Sequence, residues 1–346
     1  MMIKALIEGK CEHKFTVDRT LPLKGLCAIG IILYHLPSFS DQLPIGLHVK
    51  VFLTFIGSCF VSANFIVPLF IFISGYGLMS SYLAKGQNYL SSFFKKRMSK
   101  LFLPFIAGII IFQIFNFIDG KIFDINLLLS DFVTGGTDRL LPYCWYIFVI
   151  FFFYTSFYFV FLKVRTPKTG VNVLWLITII YVIMIKILDF GVWWYVHTFA
   201  FNLGCLWKWK ESEIKLFLRN KKYRSITILS LLLITVTGLN FACFVANSLF
   251  EYCISLLSIV CPPMVIILLY HVVFKNFSFL NYLGEISYEF YILQGVSIHF
   301  LRGNHFFIQS NIIYICCCIL CTFVLASIVH KICANILKPS KYSKSE

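Results

Sequence analysis

The chain has 346 residues, of which 59% are hydrophobic and only 13% charged, and its mean hydropathy is +0.85. About a quarter of the residues of an average soluble domain are charged, and a soluble protein of this size has too little interior to bury so much apolar surface. The composition therefore excludes a soluble enzyme, a disordered chain, a collagen and a secreted disulfide scaffold. It indicates an all-α polytopic membrane protein.

Apolar stretches close to the roughly 20 residues that cross a bilayer recur along the chain, and we predict about ten transmembrane helices. In chain order they occupy residues 20–37, 58–82, 101–118, 142–162, 171–188, 192–208, 225–246, 252–274, 284–301 and 310–332. A transmembrane domain over 20–335 then lies between a cytoplasmic N-terminal tail, 1–19, and a cytoplasmic C-terminal tail, 336–346. Residues 37–57 could contain a re-entrant or interfacial piece.

The distribution of charge fixes the predicted orientation. The formal net charge is +15, and the 30 Lys and Arg residues cluster in short runs between the apolar stretches. With the N-terminus inside, almost all of these cations fall in cytoplasmic segments, as the positive-inside rule requires. Both termini are then cytoplasmic, and nucleic-acid binding is disfavoured because no basic stripe lies on a periodic polar face. The cations left on the outer side are Lys50, Lys121, Arg139, Lys186 and Arg302.

The 13 cysteines do not predict a disulfide framework or a metal site. Most lie inside apolar runs, and no CxxC pairs with a second CxxC or with a suitably spaced histidine. We interpret them as small hydrophobic residues.

The first predicted helix contains two ionisable residues, Lys24 and His35. Polar groups at membrane depth are costly and therefore indicate function by default. Eleven residues correspond to about three helical turns, so both side chains lie on one face, roughly 16 Å apart along the axis. The alternative is that Lys24 snorkels to the inner surface while His35 lies at the outer interface.

Small residues and a basic run mark the inner end of the second helix. The sequence SGYG, residues 74–77, includes Ser74 and Tyr76 and precedes a basic segment that contains Arg97 and Lys100. The small residues indicate close helix packing or the approach of a ligand to the backbone. The cations indicate either an ordinary cytoplasmic loop or a binding site for an anionic phosphate.

Aromatic and polar residues near helix ends are the remaining candidates. Trp145, Trp193 and Trp194 could belong to an interfacial aromatic belt or form a stacking surface for a sugar. In the late sequence LGEISYEFYILQG, an unpaired Glu289 would be expensive in a membrane. We therefore expect Glu289 to have a partner, such as a lysine, or to lie at the inner edge.

Together these segments resemble the bacterial membrane acyltransferases of family 3, in the short form without an extra soluble domain, over about residues 15–335. The first helix of that family carries a basic residue, ten intervening residues and a histidine, which Lys24 and His35 match, although arginine is usual at the first position. The segments SGYG, KR followed by KLFLP, WYIF followed by FFFY, WWY followed by FNLG, and LGEISYEFYILQG match in order. Asn202 stands where proline is common, and Gln294 stands where histidine is frequent.

The resemblance implies that an acyl group, usually acetyl, is transferred from cytoplasmic acyl-CoA to a hydroxyl of a surface glycan or of its lipid-linked precursor. It implies a multi-pass protein of the bacterial inner membrane, without a metal, and leaves the oligomeric state open. We expect His35 to be the general base, although a covalent acyl-histidine intermediate is an alternative. We expect Lys24, Arg97 and Lys100 to meet the CoA phosphates, Ser74 and Tyr76 to line the CoA arm or donate to the thioester oxygen, and Trp145, Trp193, Trp194, Tyr288 and Gln294 to contact the acceptor.

Two other classes of function compete with acyl transfer. A proton-coupled secondary transporter would use His35 and Glu289 as a proton relay, but the sequence has no internal repeat of the kind that many transporters show. A non-catalytic membrane scaffold would have no affinity for acyl-CoA and would tolerate replacement of His35.

Overall fold

The computed structural model describes residues 17–36, 62–219, 223–245, 249–271 and 277–338. Within these ranges the regular elements are helices, apart from one isolated antiparallel bridge between Arg302 and Phe307. This follows from the composition, because a helix satisfies its own backbone hydrogen bonds where lipid offers no partner. Residues 1–16 of the predicted N-terminal tail, the segment 37–57 and residues 339–346 lie outside the described residues.

The helices are separated by short connections. In chain order they are α1 (Val17–His35), α2 (Ala63–Lys85), α3 (Gln87–Ser91), a π-helical turn (Phe94–Met98) that leads into α4 (Ser99–Ile118), α5 (Ile125–Val133), α6 (Trp145–Lys163), α7 (Pro167–Ile187), a 3-10 turn (Val192–Trp194), α8 (Phe199–Trp209), α9 (Glu211–Arg219), α10 (Arg224–Val245), α11 (Phe250–His271), α12 (Ser278–Glu285), α13 (Ser287–Phe300) and α14 (Asn311–Ile336).

Seven helical segments of the described chain are long and apolar enough to cross a membrane. They confirm the all-helical, multi-pass class, while the ten spans and the cytoplasmic position of both termini stay predictions. The seven segments are Ala63–Lys85, Phe94–Ile118, Trp145–Lys163, Pro167–Ile187, Arg224–Cys243, Phe250–His271 and Asn311–Ile336.

The first predicted span forms α1, whereas the sixth and ninth are shorter in the structure. The apolar part of α1 covers Thr20–His35. The ninth is divided between α12 and the 14 residues of α13. The sixth consists of the 3-10 turn and the 11 residues of α8. Its non-helical backbone is satisfied within the protein, because the Tyr181 hydroxyl donates to the Trp194 carbonyl at 3.0 Å.

The chain divides into two compact units. The first comprises Met1–Leu90 and Thr155–Gly284, and its most extensive helix contact is between α2 and α8. Glycines allow that contact, since a β-carbon at Gly75 would overlap the Phe201 carbonyl oxygen and one at Gly204 would overlap the Phe72 carbonyl oxygen. Close backbone approach through small residues is the usual way in which membrane helices associate.

The second unit comprises Ser91–Tyr154 and Glu285–Glu346, and in it α13 packs against both α4 and α14. The contact between α13 and α4 requires a small residue on α4, because a β-carbon on Gly108 of α4 would overlap the side chain of Ile292 on α13. The Tyr314 hydroxyl of α14 donates to the Ile298 carbonyl at 2.8 Å, which fixes the register of the antiparallel pair α13 and α14.

Candidate active site

Helix α1 carries Lys24 and His35, both half-buried, and His35 is its last residue. The helix therefore places the two ionisable groups on one element with the spacing that the sequence predicts. The ring of His35 meets the ring of its neighbour Tyr34 edge to face, with centroids 5.3 Å apart. Lys24 and His35 lie in the first unit.

The hydroxyl of Tyr76, in α2, meets a cluster of charged residues at the start of α9. It donates a hydrogen bond to Glu211 Oε2 at 2.8 Å. Lys208 Nζ donates to the same carboxylate oxygen at 2.6 Å and lies 3.4 Å from the Tyr76 hydroxyl. On the other side, Lys215 Nζ pairs with Glu211 Oε1 at 3.0 Å. We call Tyr76, Lys208, Glu211 and Lys215 the Glu211 cluster.

The Glu211 cluster is largely enclosed and carries a net positive charge, because two lysines surround one carboxylate. The exposed fractions of the Lys208, Glu211 and Lys215 side chains are 24%, 12% and 17%. Burial raises the pKa of the Glu211 carboxyl, but the hydrogen bonds from Lys208, Lys215 and Tyr76 lower it by more. The resulting pKa lies below its ordinary value, so that Glu211 is ionised near neutral pH.

The hydroxyl proton of Tyr76 is thus engaged by Glu211. The cluster extends to α11, where Tyr270 receives a hydrogen bond at 3.0 Å from Trp207 Nε1 and lies under the Lys215 ammonium, 4.6 Å from its ring centroid.

The glycines of the SGYG motif have different surroundings. Gly75 packs against α8, whereas a β-carbon on Gly77 would meet no atom within 4 Å among the described residues. Of the two interpretations of this motif, close helix packing therefore holds for Gly75. Ser74 is half-buried on the same helix.

Two of the three basic residues expected at the CoA phosphates, Arg97 and Lys100, lie in the second unit. Arg97 is half-buried within the π-helical turn, and Lys100 is exposed in the first turn of α4. Lys24, the third of them, belongs to the first unit.

The three tryptophans do not share one environment. In the first unit Trp193 is 48% exposed, whereas Trp194 beside it is 5% exposed and packs on Phe190 with ring centroids 5.3 Å apart. Trp145 begins α6 in the second unit, half-buried and edge to face with Tyr146. Only Trp193, of the neighbouring pair, presents a surface to a large ligand in this structure.

Helix α13 holds the remaining candidates of the second unit. The Tyr288 hydroxyl donates to the Leu101 carbonyl at 2.8 Å. Glu289 has the partner that its position demands, but this partner is a histidine and not a lysine: His330 Nδ1 lies 2.9 Å from Glu289 Oε1.

Gln294 is fully buried, and neither polar atom of its amide has a hydrogen-bond partner among the described residues. The same holds for the hydroxyls of Ser297, one turn further along α13, and Thr322 in α14. Buried amides and hydroxyls are normally hydrogen-bonded, and each that is not costs about 1–3 kcal/mol. Of the residues expected to contact the acceptor substrate, Gln294 is therefore the one whose surroundings most favour binding of a polar ligand.

Sequence reasoning missed Lys208, Glu211 and Lys215, and it missed His330. Lys208, Glu211 and Lys215 are spaced i, i+3 and i+7, and the sequence shows them as a charged segment. Their contact with Tyr76, however, joins residues that are 135 positions apart along the chain. His330 could have been found by asking which other ionisable residue lies inside a predicted span.

The described part of the chain contains no group of three or more His, Cys, Asp or Glu side chains that could hold a metal ion. A family model described as an acyltransferase domain matches residues 23–331, nearly the whole chain. No curated protein and no solved structure gives a significant match.

Proposed function

Since this chain belongs to acyltransferase family 3, we propose that it moves an acyl group, in particular acetyl, from cytoplasmic acyl-CoA to a hydroxyl of a cell-surface glycan or of its lipid-linked precursor. The observation that carries the proposal is the family match over residues 23–331. The seven apolar helices support a multi-pass location, for which we propose the bacterial inner membrane.

Positive charge at the predicted inner ends of the helices supports a polyanionic donor. Lys24, Arg97 and Lys100 are the proposed phosphate ligands, because lysine and arginine bind phosphate through charge-assisted hydrogen bonds. Within the first unit, the Glu211 cluster beside Tyr76 also carries a net positive charge. The pantetheine arm then extends along α1, which separates Lys24 from His35 by roughly 16 Å.

His35 is the proposed general base. It takes the proton of the acceptor hydroxyl while the hydroxyl oxygen bonds to the acyl carbon and the bond from that carbon to sulfur breaks. CoA leaves as the thiolate and receives the proton from the imidazolium. Imidazole suits this exchange because it is the side chain that gains and loses a proton nearest to neutral pH.

On the acceptor side, Trp145, Trp193 and Tyr288 are proposed to contact the saccharide, Trp194 to support Trp193 from its buried position, and Gln294 to bind one of the saccharide hydroxyls. The burial of Gln294 and the lack of amide partners within the described chain support this role.

The test is acyl transfer by the purified protein in lipid vesicles, with isotopically labelled acetyl-CoA and an oligosaccharide acceptor, read out by mass spectrometry. Replacement of a positioned general base typically lowers the rate by about 10²–10⁴-fold, so His35→Ala should lower kcat by that factor. His305→Ala, at an exposed position, is the matched control. Full activity of His35→Ala would refute the assignment of the base, and the absence of any acylated product with the unaltered protein would refute the proposed function.

A further inference from the structure

Two cysteines meet where α10 ends and α11 begins. Cys243 lies in the last turn of α10 and Cys253 in the first turn of α11, with nine residues between them in the chain. Their side chains interact through the thiol groups. The Cys243 thiol also lies 4.0 Å from the carbonyl oxygen of Phe250, which is three residues before Cys253 and therefore neighbours it on one side of α11. Both cysteines are thiols in this structure.

The two helices that carry these cysteines pack closely within the first unit. The most extensive contact of α10 among the described residues is with α11. Only 17% of the residues in the apolar stretch of α10 are buried, compared with 56% in α11. Helix α10 is therefore held to the protein mainly through α11, and a bond between their ends would reinforce that attachment.

This end of the helix pair lies at the edge of the apolar region. Lys186, at the end of α7, forms an ion pair with Glu251 in the first turn of α11, and the two side chains are 44% and 31% exposed. Because exposed charges are costly inside a membrane, such a pair indicates the membrane surface. Cys253 follows Glu251 by two residues, so the thiol pair lies close to water. Lys186 is one of the cations predicted on the outer side.

The two thiols differ in accessibility. Cys243 is half-buried, whereas Cys253 is 6% exposed. An accessible thiol beside a second thiol is the arrangement that disulfide exchange requires, since the first reacts with the oxidant and the second resolves the product. Cys243 has the position of the reacting thiol, and Cys253 has that of the resolving thiol.

We propose that Cys243 and Cys253 form a disulfide at the outer end of α10 and α11, with a disulfide-bearing oxidant outside the cytoplasm as the electron acceptor. Disulfides form and persist in the bacterial periplasm and at cell surfaces, but not in the reducing cytoplasm. These two cysteines then have a role beyond that of small hydrophobic residues. The inference uses the predicted orientation of the helices and does not depend on acyl transfer.

The exchange proceeds in two steps. The Cys243 thiolate attacks one sulfur of the oxidant, so that a mixed disulfide forms, the sulfur–sulfur bond of the oxidant breaks and its first thiolate leaves. The Cys253 thiolate then attacks the sulfur of Cys243 and displaces the second thiolate. The two protons lost by the cysteines pass to the departing thiolates. Two cysteine thiols are thus oxidised, and the oxidant is reduced from a disulfide to two thiols.

The experiment is mass spectrometry of the full chain from bacterial cells whose free thiols are blocked with N-ethylmaleimide before lysis. Chymotrypsin cleaves after Phe244, Phe250 and Tyr252, which places Cys243 and Cys253 on separate peptides. Without reductant we expect these two peptides to be joined, with the loss of two hydrogen atoms relative to the free thiols. Alkylation of both cysteines in the unreduced sample, or pairing of either with a different cysteine, would overturn the proposal.

A membrane-impermeant phosphine, added to spheroplasts before the thiols are blocked, tests the side of the membrane. If the disulfide lies outside, the phosphine should reduce it without lysis, and both cysteines should then be alkylated. Reduction only after lysis would place the pair on the cytoplasmic side and refute the proposal.

Variants test what the bond contributes to stability. A disulfide restricts the unfolded chain, so reductant should lower the Tm of the unaltered protein in detergent by several degrees and leave the Tm of Cys243→Ser unchanged. Cys261→Ser is the matched control, because Cys261 is a buried cysteine of α11 about two turns beyond Cys253. Its Tm should fall with reductant as in the unaltered protein. An equal effect of reductant on the two variants would refute the disulfide.

Discussion

Replacement of Gln294 by leucine should make the protein more stable and less active. The amide is fully buried, and its nitrogen and oxygen have no hydrogen-bond partner in the described part of the chain. Leucine is close to glutamine in size, so the substitution removes two unsatisfied polar atoms without opening a large cavity. Because an unsatisfied buried polar group costs about 1–3 kcal/mol, the free energy of unfolding should rise by about that amount.

Activity should change in the opposite direction. If the Gln294 amide binds an acceptor hydroxyl, its loss removes one hydrogen bond of about 0.5–1.5 kcal/mol, which corresponds to an increase of about 2–13-fold in KM for the acceptor. The KM for acyl-CoA should not change. Gln294→His, which restores a hydrogen-bonding side chain that is frequent in the family, should recover most of the acceptor affinity.

The measurements are thermal unfolding in detergent and steady-state kinetics with each substrate varied in turn. Unaltered acceptor KM and kcat in Gln294→Leu would refute the assignment of Gln294 to the acceptor site. A fall in Tm for the same variant would refute the argument that its amide is unsatisfied before substrate binds.

Two further predictions concern the first unit. Glu211→Gln should lower the free energy of unfolding by about 1.5–3 kcal/mol, the usual value of a hydrogen bond to a charged group. Because the pKa of Glu211 is lowered in the folded protein, its contribution is present above the ordinary carboxyl pKa and lost as pH falls through the lowered value. The Tm difference between Glu211→Gln and the unaltered protein should therefore vanish in acid, and a constant difference would contradict this reasoning. Gly204→Ala should lower Tm, because the added β-carbon would overlap the Phe72 carbonyl oxygen. The control Gly77→Ala places its β-carbon in open space and should raise Tm slightly or leave it unchanged. Equal Tm values for the two variants would show that the α2–α8 contact is not as close as described.

The fold class followed from the sequence because hydrophobicity alone sets where long membrane helices form. The ends of α7 and α14, for example, fall within a few residues of the predicted spans. The interruption between Trp194 and Phe199 was not foreseen, since it depends on a hydrogen bond from Tyr181 in another helix. Composition cannot reveal a contact of that kind.

The candidate site was only partly predictable for the same reason. The shared helix of Lys24 and His35 follows from spacing within one element. The pairing of Tyr76 with Glu211 depends on how α2 packs against its neighbours, over a separation of 135 residues. The need of Glu289 for a partner was evident from its cost in a membrane, but the identity of that partner, His330, required the packing of α13 on α14.

The close approach at Gly75 and Gly204 also restricts how the first unit can move during turnover. Each glycine lies against a main-chain oxygen of the opposite helix, so sliding α2 past α8 would bring a residue with a β-carbon into the place of a glycine. We therefore expect the two helices to move together. Rearrangement within the first unit then has to involve helices other than this pair.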